Sequence, residues 1–115
     1  KSLENEVNNP NSLFCVWEEN KKVVGYGGMY YVCGEGDITN VAVTNLYRQK
    51  GIARKILQEM FVIAKGNNVN EFTLEVRKSN SIAISLYESL GFLTEGTRKN
   101  FYDNPKEDGL IMWKR

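Results

Sequence analysis

Histidine is absent from this chain of 115 residues. Ser–His–Asp and Cys–His catalysis are therefore excluded, as are zinc sites built on imidazole. A general base has to be a carboxylate, a tyrosine, a lysine or water. Long apolar runs are missing as well. No window reaches the roughly 18 apolar residues of a membrane span, and the polar opening KSLENEVNNPNS does not read as a signal peptide. An excess of one charge is also lacking. The net charge of +1 gives no overall basic field, so direct nucleic-acid binding is not expected.

Cysteine is scarce, and its two occurrences are badly placed for a bridge. Cys15 lies in SLFCVW and Cys33 ends VVGYGGMYYVC, with the turn-like EENKK between. A hairpin centred near residues 20–21 sets Cys15 opposite about Tyr26. Cys33 then lies about seven residues further on, roughly 23 Å away at about 3.3 Å per residue, beyond disulfide reach. Two thiols fit a reducing cytoplasm, and without histidine beside them both read as small buried hydrophobes.

The 42% hydrophobic and 25% charged content suits a globular protein, and the length suits one domain, residues 1–115. The opening residues read as the tail of a helix stopped by Asn8-Asn9-Pro10. Strands are predicted near 13–18, 23–32 and 37–43, with the last two separated by the turn GEGD, residues 34–37. A helix follows at about 50–65, where Ile52, Ile56, Met60 and Ile63 recur at helical spacing. NEFTLEVR, 70–77, alternates Phe72, Leu74 and Val76 as a strand does. In SNSIAISLYESLGF, Ser79 or Asn80 caps a helix, Ile82, Leu86 and Leu90 share a face, and Gly91 ends it with Phe92 folding back. Strands near 92–101 and 109–114 flank the acidic loop YDNPKEDG. This order predicts an α/β (α+β) fold, a mixed central sheet with parallel central strands flanked by helices.

The stretch YRQKGIARK, 47–55, stacks Arg48, Lys50, Arg54 and Lys55 where a helix begins. A helix N-terminus already carries about half a positive charge, so each cation there costs about 0.3–1 kcal/mol. A bound pyrophosphate would resolve the conflict, because Gly51 permits close backbone approach and the first-turn N–H groups point outward. An exposed, salt-screened basic helix start explains the stretch equally well. GYGG, 25–28, sits inside a strand and reads as a bulge or bend.

A second grouping is Glu75, Asn80 and Tyr87. Glu75 points to the strand face opposite Leu74 and Val76, Asn80 opens the next helix, and Tyr87 follows two turns down the same face. A carboxylate and a phenol so placed could flank one reacting centre. Singly, each reads more simply as a solvated acid, a helix cap and a half-buried aromatic.

ITNVAVTNLYRQKGIARKIL followed by LEVRKSNSIAISLYESLGF resembles the acyl-CoA signature of the GNAT acetyltransferase superfamily. Arg48-Gln49-Lys50-Gly51-Ile52-Ala53 matches its R/Q-x-x-G-x-G/A motif. LEVR, SN, LYESLGF and the tail RKNFYDNPKEDGLIMW narrow the resemblance to RimI-like enzymes, which acetylate the N-terminal alanine of small-subunit ribosomal protein eighteen. The resemblance runs from about residue 13 to the end. It implies acetyl-CoA as co-substrate and no metal. It assigns the pyrophosphate to backbone N–H groups of Gln49, Lys50, Gly51, Ile52, Ala53 and Arg54, and the pantetheine arm to Val41, Ala42 and Val43. It implies a further CoA contact at Asn80, a general base at Glu75 and a general acid at Tyr87. The acceptor is a protein N-terminus, for which Asn100 and Tyr102 are candidate contacts and Asp103, Glu107 and Asp108 a candidate attraction.

Relatives usually carry a further strand and helix ahead of the first residues here, and Phe101 stands where they often have tyrosine. A GNAT enzyme for a small amine or a lysine side chain, or a non-catalytic acyl-CoA-binding module, would carry the same motifs.

Overall fold

The computed structural model describes residues 2–9 and 11–115, with side chains from residue 11 onward. It divides into two compact units, residues 1–70 and 71–115.

The first unit is an antiparallel meander of β1 (Ser2–Asn9), β2 (Ser12–Glu19), β3 (Lys22–Val32) and β4 (Glu35–Val43), followed by helix α1 (Ile52–Lys65). Residues 2–9 overturn the expected helix tail: Ser2 pairs with Glu18 and Glu6 with Phe14 across an antiparallel ladder. Asparagine at 5, 8 and 9 is a poor helix former, and the edge of β2 offers backbone partners that only a strand can use. The expected stop at Pro10 lies outside the described residues.

Two tight turns join the next strands. Asn20 and Lys21 have φ of 51° and 65°, and Cys33 and Gly34 have 52° and 83°. Two successive positive φ values mark the type I′ turn, whose twist suits a hairpin. The second turn is therefore centred on Cys33 and Gly34, at the front edge of the predicted GEGD, and Glu35 to Asp37 already belong to β4. A register shift between Trp17 and Glu18 places Cys15 opposite Gly27, one residue from the expected Tyr26. The two cysteines form no disulfide. Cys15 is fully buried, and desolvation with nearby Glu59 pushes its thiol up to about 11, whereas Cys33 is an exposed turn residue rather than a buried hydrophobe.

Strand alternation puts Leu13, Cys15 and Trp17 in the core, opposite Met29, Gly27 and Gly25. Helix α1 adds Ile52, Ile56, Leu57, Met60 and Ala64. Ala64, not the half-buried Ile63, completes the face, because the buried row runs in steps of four. Each fully buried aliphatic side chain contributes about 1.5–3 kcal/mol. The helix sits very close to β3. A Cβ on Gly27 would lie 2.8 Å from both Ile56 Cγ2 and Met60 Cε, and one on Gly25 3.1 Å from Ile56 Cδ1. The glycines of GYGG at 25 and 27 thus make room for a helix, and the expected bulge is present as well, with register shifts beside Gly25 and between Gly28 and Met29.

The second unit holds β5 (Glu71–Arg77), α2 (Ser81–Ser89), β6 (Leu93–Tyr102) and β7 (Glu107–Lys114), with β7 antiparallel to both β5 and β6. Phe72, Leu74 and Val76 are buried as their alternation predicts. Helix α2 departs from its predicted face: Ile82 is 67% exposed, while Ala83, Ile84, Leu86, Tyr87 and Leu90 are half-buried. Its end is closed as expected. Gly91, at φ 101°, donates to Glu88 O at 3.0 Å and Phe92 N donates to Tyr87 O at 3.0 Å, the paired bonds of a Schellman motif. Phe92 is fully buried, and Lys114 Nζ donates to Leu90 O at 2.7 Å. Among the described residues no helix is long and apolar enough to cross a membrane.

Replacing Gly27 by valine should lower stability by about 1–3 kcal/mol through overpacking against Ile56 and Met60. Thermal melts read the loss, and an unchanged melting temperature would contradict the close-approach account.

Candidate functional site

In the first unit the candidate residues lie where β4 ends and α1 begins. Val41, Ala42 and Val43 are half-buried and pair with Gly27, Tyr26 and Gly25 of β3. A register shift between Gly28 and Met29 leaves Thr39 as an extra residue on β4, and its Oγ1 donates to Gly28 O at 3.3 Å. Beyond Val43, Thr44 N donates to Val24 O at 2.8 Å, a single 3-10 turn spans Asn45–Tyr47, and Arg48 returns to extended backbone.

Two positive φ values, 59° at Gln49 and 79° at Gly51, then swing the backbone into the helix. Gly51 is the N-cap of α1 in the left-handed region, with no side-chain cap and no acid in the first turn. Capping normally satisfies one of a helix's orphan N–H donors with a side-chain oxygen. A Cβ at Gly51 would meet nothing within 4 Å, so the space before this helix start is open. An uncapped N-terminus facing open space, ringed by cations, has the chemistry of an anion cradle. The cations are not equivalent. Arg48 Nε donates to Val43 O at 2.9 Å, Lys50 Nζ sits 5.7 Å from the Tyr47 ring, and Lys55 Nζ 5.3 Å from the Trp17 ring.

In the second unit, Glu75 lies opposite Ile111, and its Oε2 is 3.5 Å from Arg98 Nε. Both members are accessible, so the pair contributes little to stability, about 0–1 kcal/mol. Asn80 is the N-cap of α2, its Oδ1 accepting from Ala83 N at 3.2 Å. Tyr87 packs its ring 5.9 Å from that of Phe92. Burial, with Tyr102 as a second cause, raises its phenol above the ordinary tyrosine range. Tyr102 is raised too, by burial and then by Glu75, against the lowering influence of Arg77. The second unit therefore brings Glu75, Tyr102 and Tyr87 into one electrostatically linked group.

Sequence reasoning missed the residues that build this group's surroundings. A Cβ on Gly109 would lie 3.2 Å from Tyr102 Cε2, 3.4 Å from Phe101 Cδ2 and 3.6 Å from Glu75 Oε2. A glycine inside a strand is the signal that could have found it. The acidic loop is also tied down. Glu107 accepts from Ser79 N and from Arg77 Nη1, and these bonds lower its carboxyl below the ordinary range. Asp108 Oδ1 accepts from Asn100 N at 2.9 Å. These two carboxylates therefore also have structural work in holding the turn.

Comparison with known proteins defines the class. Residues 1–92 match the model of the acetyltransferase (GNAT) family. The chain is 35% identical over 96 residues to the ribosomal protein bS18-alanine N-acetyltransferase of Escherichia coli K12, covering 82% of this chain and 65% of that protein. The crystal structure of the Escherichia coli ribosomal-protein-S18-alanine N-acetyltransferase superposes with a TM-score of 0.86 at 32% identity, over 93% of this chain and 70% of that one. A GNAT family acetyltransferase from Elizabethkingia anophelis, solved with acetyl-CoA bound, shares the fold at 17% identity, with a TM-score of 0.84 over 99% of this chain and 97% of that one. The protein belongs to the GNAT acetyltransferase family, and its α+β fold class is the one its sequence predicts. It spans just under two thirds, 65%, of the length of the curated Escherichia coli relative.

Gly51→Val should weaken acetyl-CoA binding. A side chain at φ 79° is strained by about 1–2 kcal/mol and fills the open space before the helix. Calorimetric titration measures this, and an unchanged dissociation constant would reduce the loop to a basic helix start.

Proposed function

We propose that the protein, with residues 1–115 acting as one domain, is an acetyl-CoA-dependent N-terminal acetyltransferase whose acceptor is the N-terminal alanine of ribosomal protein bS18. The observation that carries this reading is the GNAT family match in a chain that opens α1 on an uncapped Gly51 facing open space. The 35% identity to a bS18-alanine N-acetyltransferase supports the choice of acceptor. A cytoplasmic setting belongs to the same proposal.

Acetyl-CoA supplies a thioester that a neutral amine attacks directly. Backbone N–H groups of Gln49, Lys50, Gly51, Ile52, Ala53 and Arg54 are assigned to its pyrophosphate, and Val41, Ala42 and Val43 to its pantetheine arm. The open space at Gly51 fits such a group. Asn80 uses its Oδ1 as a helix cap, so its amide nitrogen is the atom left to contact CoA. Glu75 takes the proton of the acceptor amine, directly or through water. A peptide α-amine titrates near 8, so a carboxylate is base enough. Backbone N–H groups at Val41–Val43 stabilise charge gathering on the carbonyl oxygen. Tyr87 gives its proton to the departing thiolate, and Asn100 and Tyr102 contact the acceptor.

Incubation with acetyl-CoA and a peptide carrying the bS18 N-terminus should add one acetyl group at the α-amine, read by mass spectrometry. Glu75→Gln and Tyr87→Phe should each lower turnover by about 10²–10⁴-fold while acetyl-CoA affinity stays near native. Turnover only with lysine side chains or small amines would sink the acceptor claim, and no turnover with any amine would favour an acyl-CoA-binding module.

The raised phenol of Tyr87 keeps its proton throughout the neutral range. Activity should therefore persist upward until pH passes the ordinary tyrosine value of about 10. An alkaline limb near neutrality that vanishes in Tyr87→Phe would contradict this.

A further inference from the structure

Arg77, the last residue of β5, has a role that neither its motif nor the proposed chemistry assigns. Its guanidinium is spent almost entirely on the turn between β6 and β7. Nη1 donates to Pro105 O at 3.0 Å and to Glu107 Oε2 at 3.3 Å, and Nη2 donates to Asp103 O at 3.0 Å. The same planar group lies 4.4 Å from the centroid of the Tyr102 ring. Residues 103–106 form the turn, and two of its carbonyls are satisfied by this one side chain. Glu107 extends the clasp, since its other oxygen accepts from Ser79 N at the entry to α2. Lys78 N donates to Asp108 O at 3.1 Å beside it.

The side chains of Arg77 and Glu107 are only 32% and 15% exposed, so solvent screens this pair less than most surface pairs. A guanidinium offers five donors in a rigid fork and stacks on aromatic rings, and a lysine ammonium does neither. The geometry therefore demands arginine rather than positive charge alone. It also links two things that direct transfer needs in register. Arg77 stands two residues from Glu75 on the same strand, and its fork and stacking fix the tip beside Tyr102.

We propose that Arg77 is the positioning residue for the acceptor: it holds the β6–β7 tip and the Tyr102 ring in the shape that receives the incoming N-terminus. This inference rests on the acetyltransferase reading above. It concerns acceptor binding alone, because every contact of the clasp lies in the second unit and none involves the loop at Gly51.

The test uses the full chain and a peptide with the bS18 N-terminus, in Arg77→Met and Arg77→Lys variants. With Arg77→Met, the KM for the peptide should rise about tenfold or more, a loss of about 1.4 kcal/mol. The kcat at saturating peptide and the acetyl-CoA dissociation constant should stay within about twofold. Arg77→Lys should recover only part of the peptide affinity, because it keeps the charge without the fork. Amide hydrogen exchange at residues 103–108 should quicken about tenfold in Arg77→Met, since a charged hydrogen-bonding partner of that worth has been removed. An unchanged peptide KM in a folded variant overturns the proposal, as does equal loss of acetyl-CoA affinity or full recovery by lysine. Should Arg77→Met fail to fold, Arg77→Lys carries the same comparison. A wild-type chain that acetylates no peptide defeats the acetyltransferase reading instead, and exchange at 103–108 then decides whether Arg77 holds the tip; unchanged exchange there overturns the clasp itself.

Discussion

Helix α1 can rest on β3 only because residues 25 and 27 have no side chains. Atoms of Ile56 and Met60 occupy the space where a Cβ on Gly27 would be, at 2.8 Å, a distance real Cβ contacts do not reach. Close-packed interiors tolerate little displacement, so this contact fixes the height of the helix over the strands. Once the height is set, Ile52, Ile56 and Met60 can all be buried at once. The N-terminus of α1 is then placed with it, one residue after a glycine at φ 79°. A bulkier β3 would push the helix outward and carry its first turn away from the end of β4. The position of the candidate anion cradle is in this sense a consequence of packing on the neighbouring strand.

The same contact clarifies the charge conflict in YRQKGIARK. Four cations at a helix start would cost about 0.3–1 kcal/mol each if all simply pointed at the dipole. They do not. Lys55 covers the Trp17 ring and Lys50 leans over Tyr47, contacts worth about 0.5–1 kcal/mol at exposed sites. Arg48 bonds the last carbonyl of β4. The local costs are thus largely offset before any ligand arrives. What makes the loop a candidate phosphate site is the uncapped glycine and the open space before it, more than the number of positive charges around it.

Much of this was legible, and the failures have identifiable causes. Alternation in LEVR and its neighbours located β5, and Gly91 with Phe92 located the end of α2, because both signals are local in backbone geometry. The opening strand was missed because its partner, β2, is a tertiary feature that no short window contains. Ile63 and Ile82 were set on the apolar helix faces by their spacing, yet the buried row of α1 runs through Ala64 and Ile82 is exposed. A small residue at a close contact looks unremarkable in sequence. The glycines at 25 and 27 show the same blindness, since the helix they admit is 25 residues or more downstream. Of the candidate site, the loop at Gly51 and Glu75, Asn80 and Tyr87 were singled out through motif and resemblance. Arg77, Arg98 and Gly109 were not, because their importance lies in which strand faces which.

In the second unit a carboxylate and a phenol on neighbouring elements sit in different environments. A base and an acid on neighbouring elements are useful only if their environments differ. Glu75 stays accessible and lies at ion-pair distance from Arg98, on the open side of β5. Tyr87 is drawn into the packing against Phe92, whose own position follows from the Schellman turn at Gly91. Burial raises the phenol, and that holds its proton until a stronger acceptor forms beside it. Tyr102 stands between, influenced by Glu75 and in turn raising Tyr87. The stacking of Arg77 on the Tyr102 ring, and the room left for it by Gly109, are the contacts that keep it in place.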